Sequence, residues 1–299
     1  MTGAASITQA WVARHLPERP AHAHKGDFGR LLVVAGSTEY PGAAILTALG
    51  AMRAGAGVVR VAVAESISAR LAGTVPELTW MVLDEEAPGL IAPSGWRRVT
   101  TEASGYDAVV IGPGLGRQPA TQRRTRNLVT TLRVPGVIDA DGLNALADGG
   151  SWWTGLRAPL VLTPHPGEFA RLVHGDAPPG DDDAARSRAA LDAAVRWRQV
   201  VVLKGSNTVV AGPEGELYRS GVSSPALATA GTGDVLAGIV GAFLAGGLPP
   251  LIAAGCGVAV HGAAGLLAED RIGRAGVMAR DVATLVPEAL EQLRGGRGR

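Results

Sequence analysis

A chain of 299 residues, 46% of them hydrophobic, can bury a large core around a sheet, so a folded globular protein is expected. Lys plus Arg number 28 against 27 for Asp plus Glu, and the net charge of +1 excludes a general electrostatic pull on nucleic acid or anionic lipid. The lone cysteine, Cys256 in Gly-Cys-Gly-Val, excludes an internal disulfide and reads as a buried thiol in a reducing compartment.

Residues 1–9 lack the basic start and apolar run of a secretory signal, so a cytoplasmic location is expected. Residues 1–24 read as a helical extension of a single domain over 1–299. Short β-branched runs then recur at 31–35, 58–63, 108–111, 136–139, 160–163 and 201–204, with helical segments such as 43–54 and 183–198 between them. That alternation predicts an α/β fold with a parallel sheet covered by helices, and the continuous apolar character of the runs predicts that both sheet faces are buried. After Lys204, Val209-Val210-Ala211, a Gly-Pro-Glu-Gly turn and Leu217-Tyr218 predict an antiparallel hairpin at one edge of the sheet. The stretch 235–268 carries no charged residue, but Pro249 and Pro250 split it, and two buried helices are expected rather than a membrane span. Pro287 reads as a first-turn residue of the last helix, and 295–299 as a disordered tail.

In open α/β sheets ligands sit beyond the carboxyl ends of the strands. Polar or glycine clusters stand there after five strands: Gly36-Ser37, Gly112 to Gly116, Asp139 to Gly142, Thr163 to Glu168, and Lys204 to Thr208. Any one of them could be no more than a tight turn. Gly231-Thr232-Gly233-Asp234, followed by an apolar helix, is the strongest signal. Glycines let the backbone approach a phosphate, and the free amides of a first helical turn, with the helix dipole, stabilise its charge. Asp234 would repel that phosphate, which fits a proton acceptor for an attacking hydroxyl; a first-turn acid favoured by the dipole is the other reading. Neither a Walker loop nor a dinucleotide Gly-x-Gly-x-x-Gly is present, which disfavours an ordinary NAD-dependent dehydrogenase. No Cys/His spacing suggests zinc.

These motifs resemble the ribokinase-like fold and, within it, the ADP- or ATP-dependent NAD(P)H-hydrate dehydratases. The resemblance rests on Lys25-Gly26-Asp27-Phe28-Gly29, Gly42-Ala43-Ala44, Arg53 to Gly57, Gly112 to Gly116, Asp139 to Asn144, Thr163-Pro164-His165-Pro166-Gly167-Glu168, Lys204-Gly205 and Gly231 to Asp234. It implies a mostly parallel sheet flanked by helices on both faces, with an antiparallel edge hairpin. It also implies repair of the hydrated nicotinamide ring of NADH or NADPH, with ADP or ATP as co-substrate, Mg²⁺ as cofactor, and a homo-oligomeric, tetrameric assembly. By this resemblance Asp234, Gly231 and Gly233 carry catalysis, and Ala43, Gly114, His165 and Asp234 meet the hydrate. Lys204, Gly205, Ser206, Asn207, Thr208, Thr232 and Gly233 meet the nucleotide. Many ribokinase-like kinases place Asn-x-x-Glu where this chain has His165-x-x-Glu168, so Glu168 would act on Mg²⁺ indirectly and His165 would face substrate. Asp139 and Asp141 read equally as a carboxylate pair near the metal or as a turn with Asn144 as a cap. Two-domain relatives carry an epimerase ahead of this region, and the short segment before Lys25 is not expected to hold one.

Two other readings stay open. One is a kinase for an alcohol of the hydroxymethylpyrimidine or hydroxyethylthiazole type, which would stop after phosphoryl transfer. The other is a nucleotide-sensing protein without turnover, against which the intact Lys204, Gly231, Gly233 and Asp234 speak.

Overall fold

A computed structural model describes residues 4–175, 180 and 182–295. The chain opens with β1 (Ala5–Ser6) and α1 (Gln9–His15), and a 3₁₀ turn at Lys25–Phe28 leads into β2 (Arg30–Val34). Next come α2 (Pro41–Arg53), β3 (Val58–Ala64), α3 (Glu65–Leu71) and β4 (Thr79–Leu83), then a small hairpin of β5 (Glu85–Ala87) and β6 (Leu90–Ile91). The middle alternates α4 (Pro93–Glu102), β7 (Ala108–Ile111), α5 (Pro119–Thr131), β8 (Gly136–Ile138), α6 (Asp141–Ala147), β9 (Leu160–Leu162), α7 (Pro166–Val173) and α8 (Asp183–Trp197). The last strands are β10 (Val200–Leu203), β11 (Val209–Ala211) and β12 (Leu217–Arg219), followed by α9 (Thr232–Ala245), α10 (Pro250–Ile272) and α11 (Ala279–Leu293).

Ten strands form one sheet in the order β1-β12-β11-β10-β9-β8-β7-β2-β3-β4. From β4 to β10 every neighbouring pair is parallel, and β11 pairs antiparallel with both β10 and β12. The six expected strands are present, and their buried residues on both faces explain the unbroken apolar runs. The hairpin is not quite the edge, because β1 pairs in parallel outside β12. β1 was not expected within the helical extension, nor β4 at the opposite edge; both carry exposed positions that weaken the apolar signal.

The last helix also differs from expectation. Pro287 lies inside α11, which begins eight residues earlier at Ala279, where Asp281 accepts from the Met278 amide and marks the true start. The expected tail falls outside the described residues apart from Gly295. α9 and α10 are the two expected buried helices; α10 is long and apolar enough to cross a membrane, yet most of it is packed inside the protein. Burial pushes the Cys256 thiol on α10 up to about 12, so it stays protonated.

What positions the site is the crossing of α2 with α9. A β-carbon at Gly238 would lie 1.9 Å from the Thr47 carbonyl oxygen, so only glycine lets the two helices approach this closely. Both stand against the central strands, with Leu31, Val33, Val110 and Ile239 fully buried, and each such side chain contributes about 1.5–3 kcal/mol of hydrophobic stabilisation.

Candidate active site

The start of α9 lies at the carboxyl end of the sheet. Gly231, at φ +90°, turns the chain into the helix, a conformation that a β-carbon would strain; that carbon would also meet Leu46 Cδ1 on α2 at 2.5 Å. Thr232 turns inward, its Oγ1 donating to the carbonyls of Leu227 (2.8 Å) and Thr229 (2.9 Å). Among the described residues nothing accepts the amides of Gly233 and Asp234, which with the helix dipole form a cradle for an anion.

A carboxylate cluster faces this cradle. Lys204, at the tip of β10, places Nζ 2.8 Å from Asp139 Oδ1 and 3.9 Å from Glu168 Oε2. The same ammonium lies 3.4 Å from where a side chain on Gly233 would begin. Asp139 is buried at the end of β8 and also accepts from Thr163 Oγ1 at 2.8 Å. Burial works against the Lys204 charge, but Asp139 and Glu168 more than offset it, and its pKa is raised. Burial, with Asp139 and Glu168 adding repulsion against Lys204's attraction, pushes the Asp234 carboxyl up to about 7. Glu168 is pushed up to about 6, by burial first, with Lys204 opposing. The cluster therefore holds two carboxyls poised near neutrality beside one fixed cation.

His165 and Glu168 are locked together at the start of α7. His165 Nδ1 accepts from the amides of Gly167 (3.0 Å) and Glu168 (3.3 Å), and Glu168 Oε2 accepts from the His165 amide at 2.9 Å. This reciprocal cap explains why the His sits between two prolines: Pro166 starts the helix, and the ring nitrogen satisfies amides that a helix start leaves free. The half-exposed ring lines the cleft, with Nε2 3.5 Å from Glu168 Oε1. Burial and then Lys204 lower the His165 pKa, so the ring is neutral.

The two aspartates after β8 part company. Asp139 faces Lys204, whereas Asp141 accepts from the Gly116 amide at 2.8 Å and from Asn144 Nδ2 at 3.2 Å, shaping the loop after β7. Ala140, at φ +49° and ψ −117°, takes the strained turn that aims the two carboxylates at different partners. Asn144 is not a cap; it links Asp141 to Arg171, whose Nε donates to it at 2.9 Å.

A cavity of about 610 Å³ opens on one side of the cradle. His165, Lys204, Gly205, Ser206, Thr208, Thr232 and Gly233 line it. Asn207, expected there, is absent from the lining; its amide donates to Asp183 at 3.2 Å and fastens the loop to α8. Ala43 and Gly114 stand against one another on the other side, along α2. Sequence reasoning missed the far wall of the cavity, Val222, Leu227, Val258 and His261. Of these, only His261 left a trace, as the one imidazole in a Gly- and Ala-rich run. Its Nε2 meets the Thr232 carbonyl at 2.9 Å, and burial pushes its pKa down to about 4.

Among the described residues no cluster of three or more His, Cys, Asp or Glu side chains is arranged to hold a metal ion. The donors present suit a magnesium ion carried mostly by phosphate oxygens and water, which needs one or two carboxylates nearby. Glu168 and Asp139, the two carboxylates on Lys204, would fill that role.

A family pattern described as NAD(P)H-hydrate dehydratase matches residues 31–288. The bifunctional NAD(P)H-hydrate repair enzyme of Moorella thermoacetica is 41% identical over 96% of this chain and 54% of its own length. The chain thus spans about half the length of the bifunctional relatives it matches. An ADP-dependent (S)-NAD(P)H-hydrate dehydratase of Xanthomonas campestris is 40% identical over 95% of this chain and 96% of its own. Among solved structures, the ADP/ATP-dependent NAD(P)H-hydrate dehydratase of Bacillus subtilis, co-crystallised with ATP and Mg²⁺, superposes with a TM-score of 0.83. It is 31% identical, over 98% of this chain and all of that one.

Proposed function

The chain belongs to the NAD(P)H-hydrate dehydratase family, and from that premise we propose that it restores NADH or NADPH from the (S)-hydrate at the expense of ADP or ATP. The observation that carries this reading is the Asp234 carboxyl, pushed up to about 7 beside the free amides of α9. A carboxylate with that affinity for a proton is matched to removing one from an alcohol near neutral pH.

Asp234 takes the proton of the hydrate hydroxyl as its oxygen bonds to the terminal phosphorus of the nucleotide, and the bond from that phosphorus to the leaving phosphate oxygen breaks. The amides of Gly233 and Asp234 and the Lys204 ammonium hold the charge that gathers on the transferring group. Phosphate then departs from the ring carbon, driven by the lone pair of the ring nitrogen, and the neighbouring carbon loses a proton to restore the double bond. Lys204, Gly205, Ser206, Thr208 and Gly233 cradle the nucleotide phosphates, with Asn207 holding their loop and Thr232, its hydroxyl bonded inward, walling the nucleotide cavity. Ala43, Gly114 and His165 border the hydrate. Glu168 with Asp139 would hold the water shell of a Mg²⁺ bound with the nucleotide, which would supply neutralisation of phosphate charge. The family resemblance supports a cytoplasmic homo-oligomer, a tetramer, which sedimentation of the pure protein tests.

Supplying (S)-NADH hydrate, Mg²⁺ and ADP or ATP should restore dihydronicotinamide absorbance with one phosphate released per ring. A stable phosphorylated alcohol would instead mark a kinase, and nucleotide binding without any product a sensor.

A further inference from the structure

The loop between β2 and α2 carries a buried hydroxyl that nothing in the protein answers. Ser37 is 8% exposed, and its Oγ has no hydrogen-bond partner. A hydroxyl left unpaired in the interior costs stability and calls for an explanation. The other such atoms among the described residues, on Trp96, Thr125, Trp152, Ser187 and Arg219, lie within helices or a strand. Ser37 stands instead beyond the carboxyl end of a central parallel strand, where open α/β sheets bind ligands.

The glycine loop after β7 leaves room beside it. A β-carbon placed on Gly116 would find Ser37 Oγ at 3.9 Å and no other heavy atom within 4 Å. Close by, Tyr40 is 54% exposed although it begins a largely buried helix. Its Cβ and that of Ala43 would lie 2.7 and 2.8 Å from a β-carbon at Gly114, so the ring stands at the rim of the same corner. Tyr40, Ala43 and Leu46 recur every third residue along one side of α2, and Leu46 reaches Gly231 at the anion cradle. This stripe is about 9 Å long, at 1.5 Å per residue, with the cradle at one end and the Ser37–Tyr40 corner at the other.

A hydrated nicotinamide ring has matching ends. Its hydroxyl is on a carbon bonded to the ring nitrogen, and its carboxamide is on the carbon directly across the ring. When the hydroxyl is delivered to Asp234, the carboxamide must be received on the far wall, a ring's width and a hydrogen bond away. A serine hydroxyl can donate to the amide oxygen or accept from the amide nitrogen, and an aromatic ring can cover the face of another ring. Resting on the dehydratase reading above, we propose that Ser37 and Tyr40 receive the nicotinamide end of the hydrate: Ser37 Oγ hydrogen-bonds its carboxamide, and Tyr40 covers the reduced ring.

Ser37→Ala in the full chain should raise KM for the hydrate about tenfold, the value of one lost hydrogen bond, and leave kcat and the nucleotide KM within twofold. Its Tm should match or exceed that of the wild type, because the orphaned hydroxyl is gone. Tyr40→Ala should also raise the hydrate KM, while Tyr40→Phe should not. An unchanged hydrate KM in both Ser37→Ala and Tyr40→Ala, or a fall in Tm with KM intact in Ser37→Ala, overturns the proposal. Calorimetric titration of (S)-NADH hydrate separates the two readings. Wild-type protein that restores no NADH defeats the dehydratase function, whereas equal hydrate affinity in wild type and Ser37→Ala defeats the carboxamide receptor alone.

Discussion

Lys204 Nζ and Asp139 Oδ1 stand 2.8 Å apart although 65 residues separate them in sequence, so the ends of β10 and β8 are joined by an ion pair facing the anion cradle. The pair does two jobs: it lets a carboxylate stay buried, and it fixes a cation beside Gly233.

Asp139→Asn removes the nearer charge that keeps Lys204 in place and leaves the mostly buried ammonium with only Glu168, 3.9 Å away, to balance it. Breaking one partner of a buried pair costs about 3 kcal/mol. Urea denaturation should show a loss of that order, and the nucleotide KM should rise as the ammonium loses its fixed position.

Asp234→Asn removes the proton acceptor but no group that binds phosphate. kcat should fall by about 10³-fold, within the usual contribution of a positioned base. ADP affinity, measured by calorimetry, should hold or tighten, since a carboxylate beside the anion has gone. Near-normal turnover would show that Asp234 is only a first-turn acid.

The rate should follow the ionisation of the same carboxyl. Because burial and Asp139 push Asp234 up to about 7, the base form is scarce in mild acid, and kcat/KM should climb with pH and level off above about 7. Glu168, pushed up to about 6, shares charge with it, so the observed limb belongs to the cluster as a whole. A limb near the ordinary aspartate value of 3.8 would contradict the buried setting.

Stability carries the opposite sign. An unfolded aspartate releases its proton near 3.8, while folded Asp234 keeps it up to about 7, so across that window the folded chain binds more protons and is destabilised as pH rises. Asp234→Asn lacks this liability. Its Tm advantage over wild type should widen from about pH 4 to about 7 and then stay constant. His261, pushed down to about 4 by burial, loses stability as pH falls instead, but it is present in both proteins and cancels in the difference.

Much of the fold was legible because a parallel sheet buried on both faces leaves unbroken apolar runs, as in the β7 residues Val109 and Val110, and because glycine clusters mark the loops that end them. β1 and β4 were not legible: edge strands bury one face or none, and two residues at Ala5–Ser6 form a strand only because β12 offers them a partner. Pro287 misled because proline at a helix start is commoner than proline within one, and the cap at Met278 carries no Ser, Thr, Asp or Asn to announce it.

The site divides in the same way. Residue type and order along the chain determined that a glycine-primed helix start would form at Gly231 to Asp234 and that Lys204, His165 and Glu168 would gather at the strand ends, since Lys204 follows β10 directly and the other two lie in the turn and first helical residues after β9. Tertiary structure alone decided that Asp139 pairs with Lys204 while Asp141 holds Gly116, that Asn207 turns to Asp183, and that His165 caps its own helix. A carboxylate's partner, and with it the pKa, is fixed by distances of a few ångströms between strands far apart in sequence, which local pattern does not contain.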